Sequence, residues 1–236
     1  MGLLDLFKKK KDENGNFKTA EQRKRESIEK LKNQNIKYIE QLPTIEDSNS
    51  VRLKDVDYIS KKAIATLLVI QLAFDADNGG YNEAKATMGK LLKQFGAEEY
   101  LTGKERAVYE GKYTKQDLVN ITWEYETYWA LVWALGIIDN VEIESPAEPC
   151  DFMKAIHIVS KCKDYEEFKK KVNIRDIEEI LDMLDLYYRY NWATVDHLLR
   201  PNEKIEISHE VVVERRKGLE WLVSALDDWD EISLDT

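Results

Sequence analysis

The sequence has little glycine, proline and cysteine, and each shortage excludes a class of structure. Ten glycines and four prolines among 236 residues are roughly half the usual share, which excludes collagen-like, linker-like and turn-rich all-β chains. Two cysteines, Cys150 and Cys162, cannot build a disulfide framework. Because no secretory signal is visible either, the sequence predicts a cytoplasmic protein.

Long hydrophobic runs and the common chemical motifs are also missing. The most apolar stretches, residues 63–74 and 129–138, fall short of the ~20 residues of a membrane-spanning helix, so a soluble chain is expected. The sequence contains no Gly-x-Gly-x-x-Gly, no phosphate loop and no Gly-x-Ser-x-Gly, and its three histidines lie in different segments. We therefore predict no catalytic residues, cofactor or metal, which favours a protein that is not an enzyme.

Charge is abundant and unevenly distributed. Residues 1–35 contain ten Lys/Arg and six Asp/Glu, whereas the whole chain has a net charge of −10, so the remainder carries −14. An acidic body repels phosphate backbones and attracts basic surfaces. The sequence therefore predicts no nucleic-acid binding and a basic protein as a possible partner.

The amino-terminal tail, residues 1–18, has its own composition. Four apolar residues within positions 3–7 precede the lysines at 8–11. The segment 1–11 could make a weak peripheral contact with an anionic membrane, but it is too short for stable insertion. The alternative, which we favour, is a flexible basic tail that contributes little to folding. Residues 19–236 are then a single domain.

Apolar positions at helical spacing cover most of that domain and predict an all-α fold of about seven to nine helices. Asp55, Thr102 and Thr114 stand where helix N-caps are expected. The central helix, from about residue 115 to Gly136, is apolar nearly all round and rich in tryptophan, which indicates burial. Residues 36–43 predict a short extended segment. The last helix is expected to run from His209 to about Trp229.

Three charged residues fall where helical geometry places buried side chains. Arg215 lies within the apolar stripe of the last helix, Glu126 lies among apolar positions of the central helix, and Arg189 flanks the stripe of the preceding long helix. A buried guanidinium requires a carboxylate, so we predict that Glu126 bonds to Arg215 or else to Arg189. Such buried pairs could simply fix helix register. They could instead form a pocket for a small polar ligand, with an aromatic wall of Trp129, Trp133, Tyr188 and Trp192.

Cys150 is the best candidate for a nucleophile, because a nearby helix start would lower the pKa of its thiol. Its nearest histidine in sequence, His157, lies seven residues further along the same helix, about 10 Å away, which is too far for a hydrogen bond. A small, inert, half-buried cysteine is the favoured interpretation.

Several blocks of the sequence resemble a known family. The central block is WEYETYWALVWALG at residues 123–136, and further blocks are LYYRYNWA at 186–193, VERRKGLEWL at 213–222 and the ending at 229–236. Together they resemble the mainly bacterial family named domain of unknown function 4272, whose central block usually reads Trp-Arg-Tyr-Glu. Glu124 departs from that pattern at its second place. The resemblance runs from about Arg25 to the carboxyl terminus and implies one coherent domain, but no particular reaction.

Three functions remain open from the sequence, together with the oligomeric state. The favoured one is a non-enzymatic acidic interaction protein, such as a bacterial accessory or immunity-type partner of a basic protein. The second is a small-polar-ligand-binding or hydrolase-like protein built on Glu126, Arg189 and Arg215. The third is a membrane-peripheral adaptor that uses the tail.

Overall fold

The computed structural model describes residues 18–200 and 205–235, and within them the chain forms nine α-helices and no strand. This confirms the predicted all-α fold. Three short 3-10 turns lie at Glu98–Tyr100, Asn140–Glu142 and Trp229–Glu231. The helices are α1 (Ala20–Asn33), α2 (Val56–Asp77), α3 (Tyr81–Phe95), α4 (Gly103–Glu110), α5 (Lys115–Ala134), α6 (Phe152–Ser160), α7 (Tyr165–Lys169), α8 (Ile177–Leu199) and α9 (His209–Val223).

Polar caps start the helices at the expected residues. The side chains of Thr102 and Thr114 accept a hydrogen bond from the third residue of α4 and α5, and that residue bonds back to the cap backbone. Asp55 accepts from two backbone N–H groups at the start of α2. These contacts satisfy donors that have no partner within the helix, so they fix where each helix begins.

The central helix α5 lies between α2 and α9, α8 packs against both α9 and α1, and α3 and α4 pack against α2. Every residue from Glu124 to Leu135 is buried. The indole N–H of Trp129 donates to the carbonyl of Glu142 at 3.0 Å, and that of Trp133 donates to Asn140 at 2.9 Å. The predicted tryptophan-rich central helix is therefore present, and its polar atoms have partners.

The last helix is shorter than predicted, because it ends at Val223 rather than near Trp229. The Lys54 ammonium donates to the carbonyls of Ser224 and Leu226 at 2.9 and 2.8 Å. The indole N–H of Trp221 donates to the carbonyl of Asp227 at 2.9 Å. A longer helix would use the carbonyl of Ser224 for its own hydrogen bond. Ser224 instead has an extended backbone conformation, so α9 does not continue past Val223.

The two remaining sequence expectations concern the start of the chain. Residues 36–43 form no strand but an irregular connection that buries Ile36 and Leu42. Most of the predicted tail, residues 1–17, lies outside the described residues. Lys18 is described, and its ammonium pairs with Asp182 at 2.6 Å and with Glu26 at 2.7 Å.

In the described part of the chain no helix is long and apolar enough to cross a membrane.

A glycine allows the close approach of α5 and α9. A methyl group at Gly218 would lie 2.8 Å from the carbonyl oxygen of Thr127 and 3.0 Å from the Cβ of Ala130. Both neighbours belong to the rigid central helix, so they cannot move aside independently. Gly89 in α3 differs, because a methyl group there would meet the hydroxyl of Tyr109 at 2.5 Å, at the end of a flexible side chain.

We predict that Gly218→Ala lowers the free energy of unfolding by about 1–3 kcal/mol, because α5 and α9 are forced apart. This loss should appear although alanine favours helix over glycine by ~1 kcal/mol. The matched control is Gly89→Ala, which should be neutral or stabilising because Tyr109 can rotate. Urea denaturation measures both variants, and equal effects at the two glycines would contradict the close packing.

Candidate functional site

The predicted buried ion pair forms between Glu126 on α5 and Arg215 on α9, whose side chains are 0% and 1% exposed. One carboxylate oxygen of Glu126 accepts from Nε of Arg215 at 2.7 Å. The other oxygen accepts from the backbone N–H of Cys150 at 2.7 Å. The carboxylate therefore has a partner for each oxygen.

The rest of the Arg215 guanidinium is also bonded within the protein. Nη1 donates to the Tyr187 hydroxyl at 3.0 Å and to the carbonyls of Ile143 and Ser145, and Nη2 donates to the carbonyl of Glu148 at 3.4 Å. The Tyr187 hydroxyl donates in turn to the carbonyl of Ile143 at 2.6 Å. This network joins the connection at residues 143–150 to α5, α8 and α9.

Arg189 does not bond to Glu126 but to Asp185, one turn earlier on α8. Nε and Nη2 each donate to one oxygen of Asp185 at 2.8 Å, which is a bidentate pair, and Nη2 also reaches the carbonyl of Pro43 at 3.3 Å. The three predicted residues therefore do not form one cluster. Glu126 pairs with Arg215, and Arg189 pairs separately with Asp185.

The predicted aromatic wall is divided in a similar way. Trp129 and Trp133 are buried, whereas Tyr188 and Trp192 on α8 are half-buried. The ring of Tyr188 lies 4.8 Å from the guanidinium of Arg216. Two surface clefts, of about 450 and 550 Å³, are lined by other residues and by none of the seven predicted ones.

The smaller cleft, which we call the α4–α5–α9 cleft, is rich in charge and includes a buried carboxyl. It lies between α4, α5, α9 and the carboxyl-terminal segment and has a volume of about 450 Å³. Its acidic lining residues are Asp117, Glu124, Glu210, Glu214 and Asp230. Its basic lining residues are Lys104, Lys112 and Lys217, and the imidazole of His209 lines it as well.

The three lysines of this cleft already have carboxylate partners. The ion pairs are Lys104 with Asp230 at 2.9 Å, Lys217 with Glu214 at 2.6 Å, and Lys112 with Glu110 at 2.7 Å. The ammonium groups of the cleft are therefore engaged with side chains of the protein itself.

Two carboxyl oxygens of residues that line this cleft have no hydrogen-bond partner in the described part of the chain. Glu124 is 2% exposed, and its Oε1 accepts a long bond from the indole of Trp229 at 3.4 Å, while Nζ of Lys217 lies 3.9 Å away. Oε2 of Glu124 and Oδ2 of Asp230 are buried without a hydrogen-bond partner among the described residues. Buried acceptors of this kind are uncommon in folded proteins.

Burial raises the pKa of the Glu124 carboxyl well above its ordinary value. Lys217 and Lys62 lower this pKa, but the carboxylates of Glu105 and Glu214 raise it further. The burial effect is the largest of these, because a charged carboxylate loses its hydration inside the protein. The neutral form of the Glu124 carboxyl is therefore favoured in the folded protein.

Glu124 is not among the site residues predicted from the sequence. The available signal was the one that selected Glu126, a charge on a helix that is otherwise buried. The departure from Trp-Arg-Tyr-Glu marked the same position. Neither signal predicts the cleft, because α4 and the carboxyl-terminal segment also form its walls.

Cys150 is not an activated nucleophile. Burial raises the pKa of its thiol, and the negative charge of Glu126 raises it further. The expectation that a helix start lowers this pKa is thus wrong. Both cysteines are free and buried, and in the ranges 18–200 and 205–235 no three His, Cys, Asp or Glu residues are placed to hold a metal ion.

These features define an all-α acidic domain with a tryptophan-rich central helix. The chain belongs to the family described as Domain of unknown function (DUF4272), which matches residues 23–232. This confirms the resemblance noted in the sequence. No significant match to a curated protein or to a solved structure was found.

The raised pKa of Glu124 predicts a pH-dependent stability difference from the variant Glu124→Gln. The fold favours the neutral carboxyl, so its contribution to stability is complete below the ordinary pKa of 4.5 and is lost as pH rises towards the folded pKa. Glutamine cannot ionise. The variant should therefore be more stable than the wild type at neutral pH, by on the order of 1 kcal/mol.

Urea denaturation over a pH series measures this difference, which should disappear in acid. Glu83→Gln, which removes an exposed carboxylate from the first turn of α3, controls for the change in net charge. A Glu124→Gln variant that is less stable than the wild type at neutral pH would show that ionised Glu124 stabilises the fold.

Proposed function

We propose that the protein is an acidic binding protein that recognises a basic partner protein by taking one of its cationic side chains into the α4–α5–α9 cleft. The hydrogen bonds and ion pairs of the cleft's polar groups support this proposal most directly. The cleft lysines are paired with carboxylates, whereas Glu124 and Asp230 each keep one buried oxygen without a partner. A cation whose N–H donors reach those oxygens would satisfy them, while an anion would compete with the existing ion pairs.

The size and lining of the cleft also suit a long basic side chain. Its volume of about 450 Å³ lies in the range of small-ligand pockets. Its apolar lining includes Ala107, Val108, Ile121 and Val213, together with the indole of Trp123. A lysine or arginine stem packs against such a surface while its charged end reaches the carboxylates. The net charge of −10 speeds the approach of a basic partner.

The other two functions suggested by the sequence have less support. Glu126, Arg189 and Arg215 already bind groups within the protein, so a ligand at those residues competes with existing contacts. The adaptor function depends on residues 1–17, which lie outside the described residues, and it remains a prediction.

A lysine decamer is a suitable probe for this proposal, and isothermal titration calorimetry measures its binding. We expect binding at low ionic strength that weakens as salt is added. Asp230→Asn should weaken it about tenfold through the loss of a charge-assisted hydrogen bond. The matched control Asp77→Asn, which removes the same charge at the exposed end of α2, should leave the affinity nearly unchanged.

Two results would overturn the proposal. One is no binding of the decamer at low salt, and the other is an equal effect of Asp230→Asn and Asp77→Asn. Cadaverine, a free diamine, distinguishes the source of the cation. If cadaverine binds as tightly as the decamer, the ligand is a small amine rather than a partner protein.

A further inference from the structure

We infer, building on the proposed function, that Glu124 exchanges its proton for the ligand's cation: the free cleft holds a neutral carboxyl, and an N–H-bearing organic cation takes the place of the proton. The proton leaves Glu124 for the solvent, and the ammonium or guanidinium of the ligand then donates to the ionised carboxylate. No other bond forms or breaks. The ligand class is therefore a cation with N–H donors, and its affinity depends on pH.

The charges that face Glu124 cancel in pairs. Lys62 on α2 is bonded to Glu105 on α4 at 2.5 Å, and Lys217 is paired with Glu214 within α9 at 2.6 Å. Both lysines are thus compensated before Glu124 is counted. An ionised Glu124 would share Lys217, whose Nζ lies 3.9 Å from Oε1 of Glu124 but only 2.6 Å from Glu214.

The carboxyl-terminal segment adds no compensating cation. Its Asp230 is paired with Lys104 at 2.9 Å. Its Trp229 donates a single long hydrogen bond to Oε1 of Glu124, and the ring of Trp229 lies 3.7 Å from Nζ of Lys62. Among the described residues, the carboxyl-terminal segment therefore presents a balanced ion pair and a neutral ring to Glu124. The other charged or ionisable lining residues of the cleft are Asp117 of α5 and His209 and Glu210 of α9.

Burial increases the energetic cost of an ionised Glu124. A charge that is 2% exposed and has no partner for Oε2 is strongly disfavoured relative to the neutral acid. The direction of the Glu124 pKa shift, which burial raises, agrees with this geometry. An arriving cation reverses the balance, because it supplies both the opposite charge and the missing donor.

Binding and proton release are then linked. Because the cation binds the ionised carboxylate, its affinity should rise about tenfold per pH unit below the pKa of Glu124 and level off above it. The unpartnered oxygens of Glu124 and Asp230 need hydrogen-bond donors from the ligand as well as its positive charge. A trimethyl-lysine decamer keeps the charges but has no side-chain N–H groups, so it should bind more weakly and release no proton.

The test is calorimetric titration of the lysine decamer in two buffers with different ionisation enthalpies, over a pH series. For the wild type we expect about one proton released per cation bound at pH values below the pKa of Glu124. Glu124→Gln, which is expected to fold stably, should bind about tenfold more weakly with no proton release. Asp77→Asn should behave as the wild type.

Infrared difference spectroscopy supplies an independent reading. The free wild type should show the C=O band of a protonated carboxyl group, absent in Glu124→Gln and lost when the decamer is added. Decamer binding without proton release, or without loss of that band, overturns the exchange and leaves the proposed function intact. Failure of the decamer to bind at any pH overturns both.

Discussion

The buried pair of Glu126 and Arg215 is the interaction on which the centre of the structure depends. It joins α5 to α9, and through the guanidinium it also holds Tyr187 of α8 and the carbonyls of the connection at 143–150. Two charges removed from water are tolerable only with complete hydrogen bonding. The chain meets that condition, since both carboxylate oxygens and all three guanidinium nitrogens have partners. The pair thereby fixes how three helices and one connection meet.

Glu124 and Glu126 show how two carboxylates on one helix acquire different roles. They are two residues apart, which places them about 200° apart around α5. Glu126 points to α9 and the 143–150 connection, where donors surround it. Glu124 lies beside ion pairs that are already complete, so one of its oxygens stays without a partner. The first carboxylate is used by the fold, and the second is the one that we propose binds a ligand.

The sequence predicted those features that depend on local pattern. The capping boxes at Thr102 and Thr114 mark helix starts, and charges in apolar stripes predicted a guanidinium partner for Glu126, either Arg215 or Arg189. Arg189 was the harder case, because its partner Asp185 lies on its own helix and not across the core. The α4–α5–α9 cleft could not be predicted, because it needs the chain to turn away after α9. That turn is held by Lys54, about 170 residues earlier in the sequence.

The most direct test of the central claim is a double-mutant cycle on the buried pair. The free energy of unfolding is measured for Glu126→Gln, Arg215→Met and the double variant. Glu126→Gln leaves the guanidinium without its carboxylate, and Arg215→Met leaves the carboxylate without its guanidinium. Each single change should cost roughly 3 kcal/mol, while the double change should cost clearly less than the sum of the two. A coupling above about 1 kcal/mol supports the account. Losses that add within about 0.5 kcal/mol would contradict it, because the two residues would then act independently.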